Sequence, residues 1–248
     1  MGGERWYVYG IVDGSCPPEL AEHPARLVAR DGVAAVARLV AADDFDEQNL
    51  PDRLHDVDWV TQLAVEHSEV LDRLREQATV LPMRICTVYR SEERLREMLS
   101  AEAPRLVRVL AHLRGRSEWG VKVFSVRPPT LPEREATRGD GTPGAGAAYL
   151  LARQRERDQI AEADQLLDHA CDELHELLCA AAVAGRANPP QRRELLNGVY
   201  LVEDQLAEEF GRLAREPGER YAALGLEQTL TGPWPAYNFV PDHAEATT

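Results

Sequence analysis

Apolar and polar positions recur with two different periods along the chain, and the period indicates which element each stretch forms. Residues 6–12 are apolar on both alternating sets, which is typical of a strand covered on both faces. From residue 59 to 74 apolar side chains recur every three or four positions, which predicts one face of an amphipathic helix. A second helix is predicted from Ser91, a good N-cap residue, to Gly115. Pro104 lies inside this pattern and is expected to kink the helix or split it in two.

Other parts of the first half give weaker signals. Residues 33–40 are apolar and alanine-rich, so a strand and a helix both fit. Residues 43–56 are acidic and predict a loop with about one helical turn. Residues 79–89 predict a strand that Pro82 interrupts, as at an edge or a bulge. His67 lies in the apolar stripe of the first helix, where a hydrogen-bonded core histidine is expected rather than a catalytic one.

The second half follows the order strand, helix, two strands, helix, strand. Strands are predicted at 119–126, 186–193, 195–202 and 224–231, and helices at 147–183 and 204–214. The last strand has leucines on one side and Thr229 on the other, so its sheet is expected to have one covered and one open face. Residues 127–146 are rich in proline and glycine and predict a mobile loop. Residues 153–158 are charged all round, so the amino-terminal end of the long helix is expected to project beyond the domain body.

We therefore predict an α+β protein of two domains. Residues 1–116 form an N-terminal α+β domain, residues 117–240 a C-terminal ferredoxin-like domain (βαββαβ), and residues 241–248 a flexible tail. The ferredoxin-like domain carries a long loop and an extended helix inserted after its first strand. A length of 248 residues suits two domains of ordinary size.

Composition excludes several classes of partner. The net charge of -14 argues against nucleic acid, because a phosphate backbone would repel the chain. No apolar stretch approaches the roughly 20 residues that span a bilayer, and no leader peptide is expected. The four cysteines show neither a disulfide nor a ligand pattern, which favours a reducing cytoplasm.

Two motifs suggest chemistry, and neither predicts a site. Gly139, Gly141 and Gly144 spell the dinucleotide-binding pattern, but a loop separates them from the preceding strand. Cys171, His175 and Cys179 recur every four residues on one helix face and could hold zinc, yet a closed site needs a fourth ligand. Core packing of this helix is the favoured interpretation, and no cofactor or enzymatic activity is predicted.

Five stretches together resemble the gas vesicle protein GvpL/GvpF family. They are Tyr7-Val8-Tyr9-Gly10, Val80-Leu81-Pro82-Met83-Arg84, Trp119-Gly120-Val121-Lys122-Val123, Tyr200-Leu201-Val202 and the C-terminal stretch Thr231-Gly232-Pro233-Trp234-Pro235-Ala236-Tyr237-Asn238-Phe239-Val240. After Arg84 the family pattern continues with an aromatic residue and a glycine, where this chain has Ile85 and Cys86. This difference affects the geometry of the turn after Arg84, because cysteine adopts a positive φ less readily than glycine.

The resemblance implies a non-enzymatic minor component or assembly factor of gas vesicles. Its partners would be the hydrophobic shell protein GvpA and other gas vesicle accessory proteins, with no nucleic acid and no lipid membrane, and it would be cytoplasmic until it joins the vesicle. The candidate interaction surface comprises Leu81, Pro82, Met83, Arg84, Thr229, Trp234, Tyr237 and Phe239. The three rings among them are expected to fold back onto the structure.

Two other classes of function stay open at this point. One is a ligand-sensing ferredoxin-like module that regulates another protein. The other is a metal hydrolase built on the helix that carries Cys171, His175 and Cys179.

Overall fold

A computed structural model describes residues 3–125, 145–191, 193–221 and 225–240, which form two compact units. The first unit holds the chain up to Glu118, Glu203–Gln205 and the segment that begins at Gly232. The second unit holds Trp119–Val202 and Leu206–Thr231. The predicted domain bounds, 1–116 and 117–240, stay a prediction; in the structure the segment from Gly232 belongs to the first unit.

The first unit is a mixed α/β structure around one antiparallel sheet. Its strands are β1 (Glu4–Asp13), β2 (Arg26–Arg30), β3 (Val33–Ala41), β4 (Leu81–Pro82) and β5 (Val88–Tyr89), and its helices are α1 (Leu50–His55), α2 (Val57–Gln77) and α3 (Glu92–Leu113). Short 3-10 turns occupy Pro18–Leu20 and Ala42–Asp44. The strand order is β2-β3-β1-β4, and β5 also pairs with β1.

Strand β1 is the centre of this sheet. Its residues from Trp6 to Val12 are all buried, which confirms the predicted strand covered on both faces. It pairs with β3 along its whole length, and this long-range pairing resolves residues 33–40 as a strand. Asp31 and Gly32 join β2 to β3 with φ values of 49° and 83°, as a tight two-residue hairpin turn requires.

The two long helices begin and end largely where the sequence predicts. Ser91 caps α3 by accepting a hydrogen bond from the Arg94 amide at 3.3 Å, and Gly115 follows the helix with a φ of 66°. The helix runs without interruption past Pro104, so the split does not occur, and the kink, the other predicted outcome, stays a prediction. Buried leucines on both sides of the proline, among them Leu99 and Leu106, offset the cost of the missing backbone hydrogen bond.

Gly10 lets α2 and β4 approach the central strand closely. A β-carbon at this position would lie 2.7 Å from Cγ2 of Val80, 3.0 Å from the carbonyl oxygen of Leu81 and 3.1 Å from Cδ2 of Leu71. Any larger residue would push these neighbours apart, because the core is already close-packed.

The second sheet is built from four strands. Its elements are β6 (Arg116–Ser125), α4 (Ala145–Ala180), β7 (Ala184–Ala187), β8 (Glu194–Glu203), α5 (Ala207–Tyr221) and β9 (Leu226–Trp234), with 3-10 turns at Asp204–Leu206 and Tyr237–Phe239. The sheet order is β7-β8-β6-β9. The alternation of elements agrees with the prediction, whereas the ferredoxin-like arrangement stays a prediction.

Two details of the second unit differ from the sequence analysis. Strand β7 lies earlier than residues 186–193, because Pro189 and Pro190 cannot continue a hydrogen-bonded ladder. The helix predicted from residue 204 begins with a 3-10 turn, in which Leu206 is 41% exposed. The predicted loop, the glycine motif within it and the tail at 241–248 fall outside the described residues.

Helix α4 divides into a packed part and an exposed part. Leu167, Cys171, Leu174 and Leu178 are buried against Tyr200 and Phe210, in agreement with the favoured core packing of this helix. Toward the amino-terminal end, the described side chains from Arg153 to Leu166 are exposed all round the helix. The projection of this end beyond the domain body stays a prediction.

Candidate interaction surface

The segment from Leu81 to Arg84 is less accessible than the sequence analysis expects. Strand β4 pairs with β1, and the Met83 amide donates to the carbonyl oxygen of Tyr9 at 2.9 Å. Leu81, Pro82 and Met83 are buried, and only Arg84 is exposed. The segment forms an edge of the sheet. Its three apolar side chains are covered, so they present no contact surface.

Beneath this edge lies a closed polar network around His67. Nε2 of His67 donates to the carbonyl oxygen of Met83 at 3.0 Å, which leaves Nδ1 to accept from the Tyr7 hydroxyl at 2.7 Å. The imidazole is fully buried, and burial lowers its pKa below the ordinary value. Burial also raises the pKa of Tyr7. This arrangement confirms the predicted core histidine, whose two nitrogens are both engaged.

The turn after β4 keeps a left-handed residue. Cys86 has a φ of 66°, and the Thr87 amide and hydroxyl both donate to the carbonyl oxygen of Arg84, at 3.2 and 2.7 Å. The turn therefore holds the backbone conformation that glycine favours, although cysteine stands there. Ile85, at the tip of the turn, is 42% exposed.

The closing segment, residues 232–240, is held in place by a buried carboxylate. Glu118 accepts one hydrogen bond from the Asn238 amide at 2.7 Å and another from Nδ2 of Asn238 at 2.6 Å. Glu118 is only 6% exposed, so these bonds form in a largely dry environment. Sequence reasoning missed this pair, because 120 positions separate the two residues and no local pattern connects them.

The three rings of the closing segment have different environments. Phe239 is buried and anchors the segment, as predicted. Trp234 and Tyr237 are 45% and 42% exposed, so these two rings fold back onto the structure only in part. Pro235 and Ala236 between them are buried, which fixes the backbone that carries both exposed rings.

Negative charge surrounds the exposed tyrosine. Partial burial together with the carboxylates of Asp72 and Glu118 raises the pKa of Tyr237 to about 12. Its hydroxyl therefore stays protonated and available as a hydrogen-bond donor across the physiological pH range. An aromatic ring beside acidic groups favours a partner that brings apolar or positively charged side chains.

Strand β9 presents the open sheet face that its alternating pattern predicts. Leu226 is buried, whereas Thr229 and Thr231 are exposed. Thr231 packs against Gly120 of the neighbouring strand, where an added β-carbon would lie 2.7 Å from its hydroxyl oxygen. This face offers the hydroxyl groups of Thr229 and Thr231.

The helix with two cysteines and a histidine packs as part of a core. Cys171 is buried, and burial raises the pKa of its thiol to about 11. Nδ1 of His175 lies 2.8 Å from the Tyr200 hydroxyl, and Cys179 Sγ lies 3.6 Å from Nε2 of the same ring. Among the described residues, no group of three His, Cys, Asp or Glu side chains could hold a metal ion.

Two observations bear on small ligands and membranes. A cavity lined by Leu20, Val36 and Leu74 has a volume of about 20 Å³, the size for a single water molecule. In the part of the chain that the structure describes, no helix is long and apolar enough to cross a membrane.

Comparison with known proteins gives one consistent result. The family described as "Gas vesicle synthesis protein GvpL/GvpF" matches residues 5–241. A Streptomyces protein named "Gas vesicle protein L" is 34% identical over 250 residues, covering 94% of this chain and 91% of its own length.

Solved structures share the fold. The crystal structure of the gas vesicle protein GvpF from an Anabaena species covers 97% of this chain and 98% of its own, with a TM-score of 0.66 at 16% identity. GvpF from Microcystis aeruginosa covers 96% and 99%, with a TM-score of 0.65 at 18% identity. The match over nearly the whole chain agrees with the resemblance seen in the sequence. The chain belongs to the GvpL/GvpF family of gas vesicle synthesis proteins, and its role is gas vesicle-related.

Proposed function

We propose that this chain is a non-enzymatic assembly factor or minor component of gas vesicles that binds the hydrophobic shell protein GvpA. Its contact surface is centred on Trp234 and Tyr237. It acts in the cytoplasm before it joins the growing vesicle. The second unit, in this proposal, is a ferredoxin-like domain, which the strand order β7-β8-β6-β9 supports.

One observation carries the proposal: two exposed aromatic side chains stand on a backbone that is fixed before any partner arrives. The Glu118–Asn238 hydrogen bonds and buried Phe239 hold the segment after Tyr237. The buried residues Pro235 and Ala236 hold the segment before it. Rigid aromatic residues are favoured as interface anchors, because binding them costs little conformational entropy. Arg84 and the Thr229 face are secondary candidates for the same partner.

The charge of the chain supports this role. A shell subunit with a large apolar surface is prone to aggregate before it assembles. A partner with a net charge of -14 that covers part of this surface would keep the complex in solution through charge repulsion.

Co-expression with GvpA tests the proposal. The amount of GvpA that remains soluble and co-purifies with this chain is compared for the wild type and for a Trp234→Ala, Tyr237→Ala double variant. The matched control is Leu54→Ala, Val57→Ala, which removes two side chains that are 52% and 74% exposed elsewhere in the first unit.

We expect the aromatic variant to lose roughly tenfold or more of the co-purified GvpA, as for an interface anchor, and the control to lose none. The melting temperature of each variant checks that folding is intact. Equal GvpA solubility with and without this chain would refute the binding role. If the aromatic variant retained as much GvpA as the wild type does, the contact surface would lie elsewhere on the chain.

A further inference from the structure

The charge pattern on the exposed part of α4 is complementary to the same pattern on a second, antiparallel copy of the helix. On one side of the helix, exposed residues recur at spacings of four, four, three and four; they are Arg153, Arg157, Ala161, Asp164 and Asp168. Such spacing places all five on a single helix face. The two positive charges come first, and the two negative charges come last.

The pattern is symmetric about the midpoint between Ile160 and Ala161. Arg157 lies three residues before Ile160, and Asp164 lies three residues after Ala161. Arg153 lies seven residues before Ile160, and Asp168 lies seven residues after Ala161. One antiparallel register therefore places both arginines of one helix opposite both aspartates of an identical helix.

A parallel pairing of the same two helices would place like charges together. Like charges at close range are repulsive, so the pattern selects the antiparallel arrangement. An antiparallel pair of identical helices has two-fold symmetry, the commonest symmetry of protein dimers. Ala161 and the 40%-exposed Ile160 would lie at the crossing point, where a small residue lets two helices approach closely.

This part of α4 is largely exposed. The described side chains from Gln154 to Leu166 are exposed on every side of the helix. Isolated helical segments of this length are marginal in water, because most helix stability in proteins comes from tertiary packing. A second helix along this face would add tertiary packing.

We propose that the chain self-associates through α4, with Arg153 and Arg157 of one copy opposite Asp164 and Asp168 of the other. The interface is small and charged, so the dimer is weak and sensitive to salt. This inference is independent of the proposed GvpA contact at Trp234 and Tyr237.

Two charge-uniform variants of the full-length chain test the inference. Arg153→Glu, Arg157→Glu makes the helix face wholly negative, and Asp164→Arg, Asp168→Arg makes it wholly positive. Sedimentation of each variant alone, and of an equimolar mixture, is compared with the wild type at low salt. The control Glu162→Arg, Glu173→Arg makes the same charge change on exposed residues of the far side of the helix.

We expect each face variant alone to dimerise at least about tenfold more weakly than the wild type, and the mixture to recover a heterodimer. The control should dimerise as the wild type does. Raising the salt from about 0.1 to 1 M, which shortens the screening length from about 10 to 3 Å, should weaken the wild-type dimer. A monomeric wild type at low salt, a mixture that stays monomeric, or a control that also loses the dimer would each overturn the inference.

Discussion

Cys86 holds a backbone conformation that glycine adopts more readily. The turn that follows β4 holds a φ of 66° at Cys86, and the side chain packs against the core of the first unit. A left-handed conformation costs a residue with a β-carbon about 1–2 kcal/mol relative to glycine. The surrounding hydrogen bonds and packing offset that cost.

Comparing two substitutions at this position isolates the backbone strain. Both Cys86→Gly and Cys86→Ala remove the thiol, but only glycine relieves the strain of a positive φ. We expect Cys86→Gly to be more stable than Cys86→Ala by about 1 kcal/mol in urea unfolding. Equal stability of the two variants would show that the turn does not hold this conformation in solution.

His67 connects folding stability to pH. Because burial lowers the pKa of His67 in the folded state, the unfolded chain binds a proton more readily at this residue. The stabilising contribution of neutral His67 is therefore complete above an unfolded-state pKa of about 6.5 and is lost as pH falls toward the lower folded-state pKa. The Tyr7 hydroxyl, the Glu66 carboxylate and the Met83 carbonyl are the polar groups that act on it.

Substituting glutamine tests this pH dependence. His67→Gln should lower the free energy of unfolding at neutral pH by about 1–3 kcal/mol, because one of two buried hydrogen bonds is weakened. The difference from the wild type should shrink as pH falls below about 6.5. His169→Gln, at an exposed position, is the control and should leave the pH profile unchanged. A constant difference between wild type and His67→Gln across this range would contradict the assignment.

Among the elements, the strongly periodic ones could be predicted from the sequence and the ones that depend on distant partners could not. The stripe of α2 and the cap at Ser91 are local signals, and the structure has both. Residues 33–40 form a strand only because β1 lies alongside, which the local composition does not reveal. Pro104 is tolerated inside α3 because tertiary burial outweighs the local preference of proline.

The candidate surface could be predicted only in part, for the same reason. Leu81, Pro82 and Met83 are buried where β4 pairs with β1, a strand that is distant in sequence, so their apolar character alone did not reveal this burial. The alternation around Thr229 is local, and its open face was predictable. Glu118 and Asn238 gave no signal at all, although their pairing positions the exposed rings.

The closing segment should loosen when this pair is weakened. In Glu118→Gln one carboxylate oxygen becomes an amide that cannot accept a hydrogen bond from Asn238. We expect a loss of about 1–3 kcal/mol in stability and faster hydrogen exchange at the Asn238 amide. The exposed Glu227→Gln is the control and should change neither quantity. Unchanged exchange at Asn238 in Glu118→Gln would show that Phe239 alone anchors the segment.

For the whole molecule, charge is the property with the clearest consequence. The net charge of -14 at pH 7 vanishes near the calculated isoelectric point of about 5.0. We expect light scattering to reach a maximum near pH 5, because repulsion between copies is then lost. The effect should grow with protein concentration, whereas unfolding through His67 should not. A clear solution at pH 5 and high concentration would contradict this expectation.

The path of the chain through the two units sets the order in which they can be completed during synthesis. The second unit lies within the sequence of the first, since the first unit receives its last segment only from Gly232 onward. Asn238 leaves the ribosome long after Glu118. The Glu118 carboxylate can therefore accept hydrogen bonds from Asn238 only after the whole second unit has been synthesised. The surface that carries Trp234 and Tyr237 therefore forms only after the second unit has been synthesised, and a shorter nascent chain cannot present it.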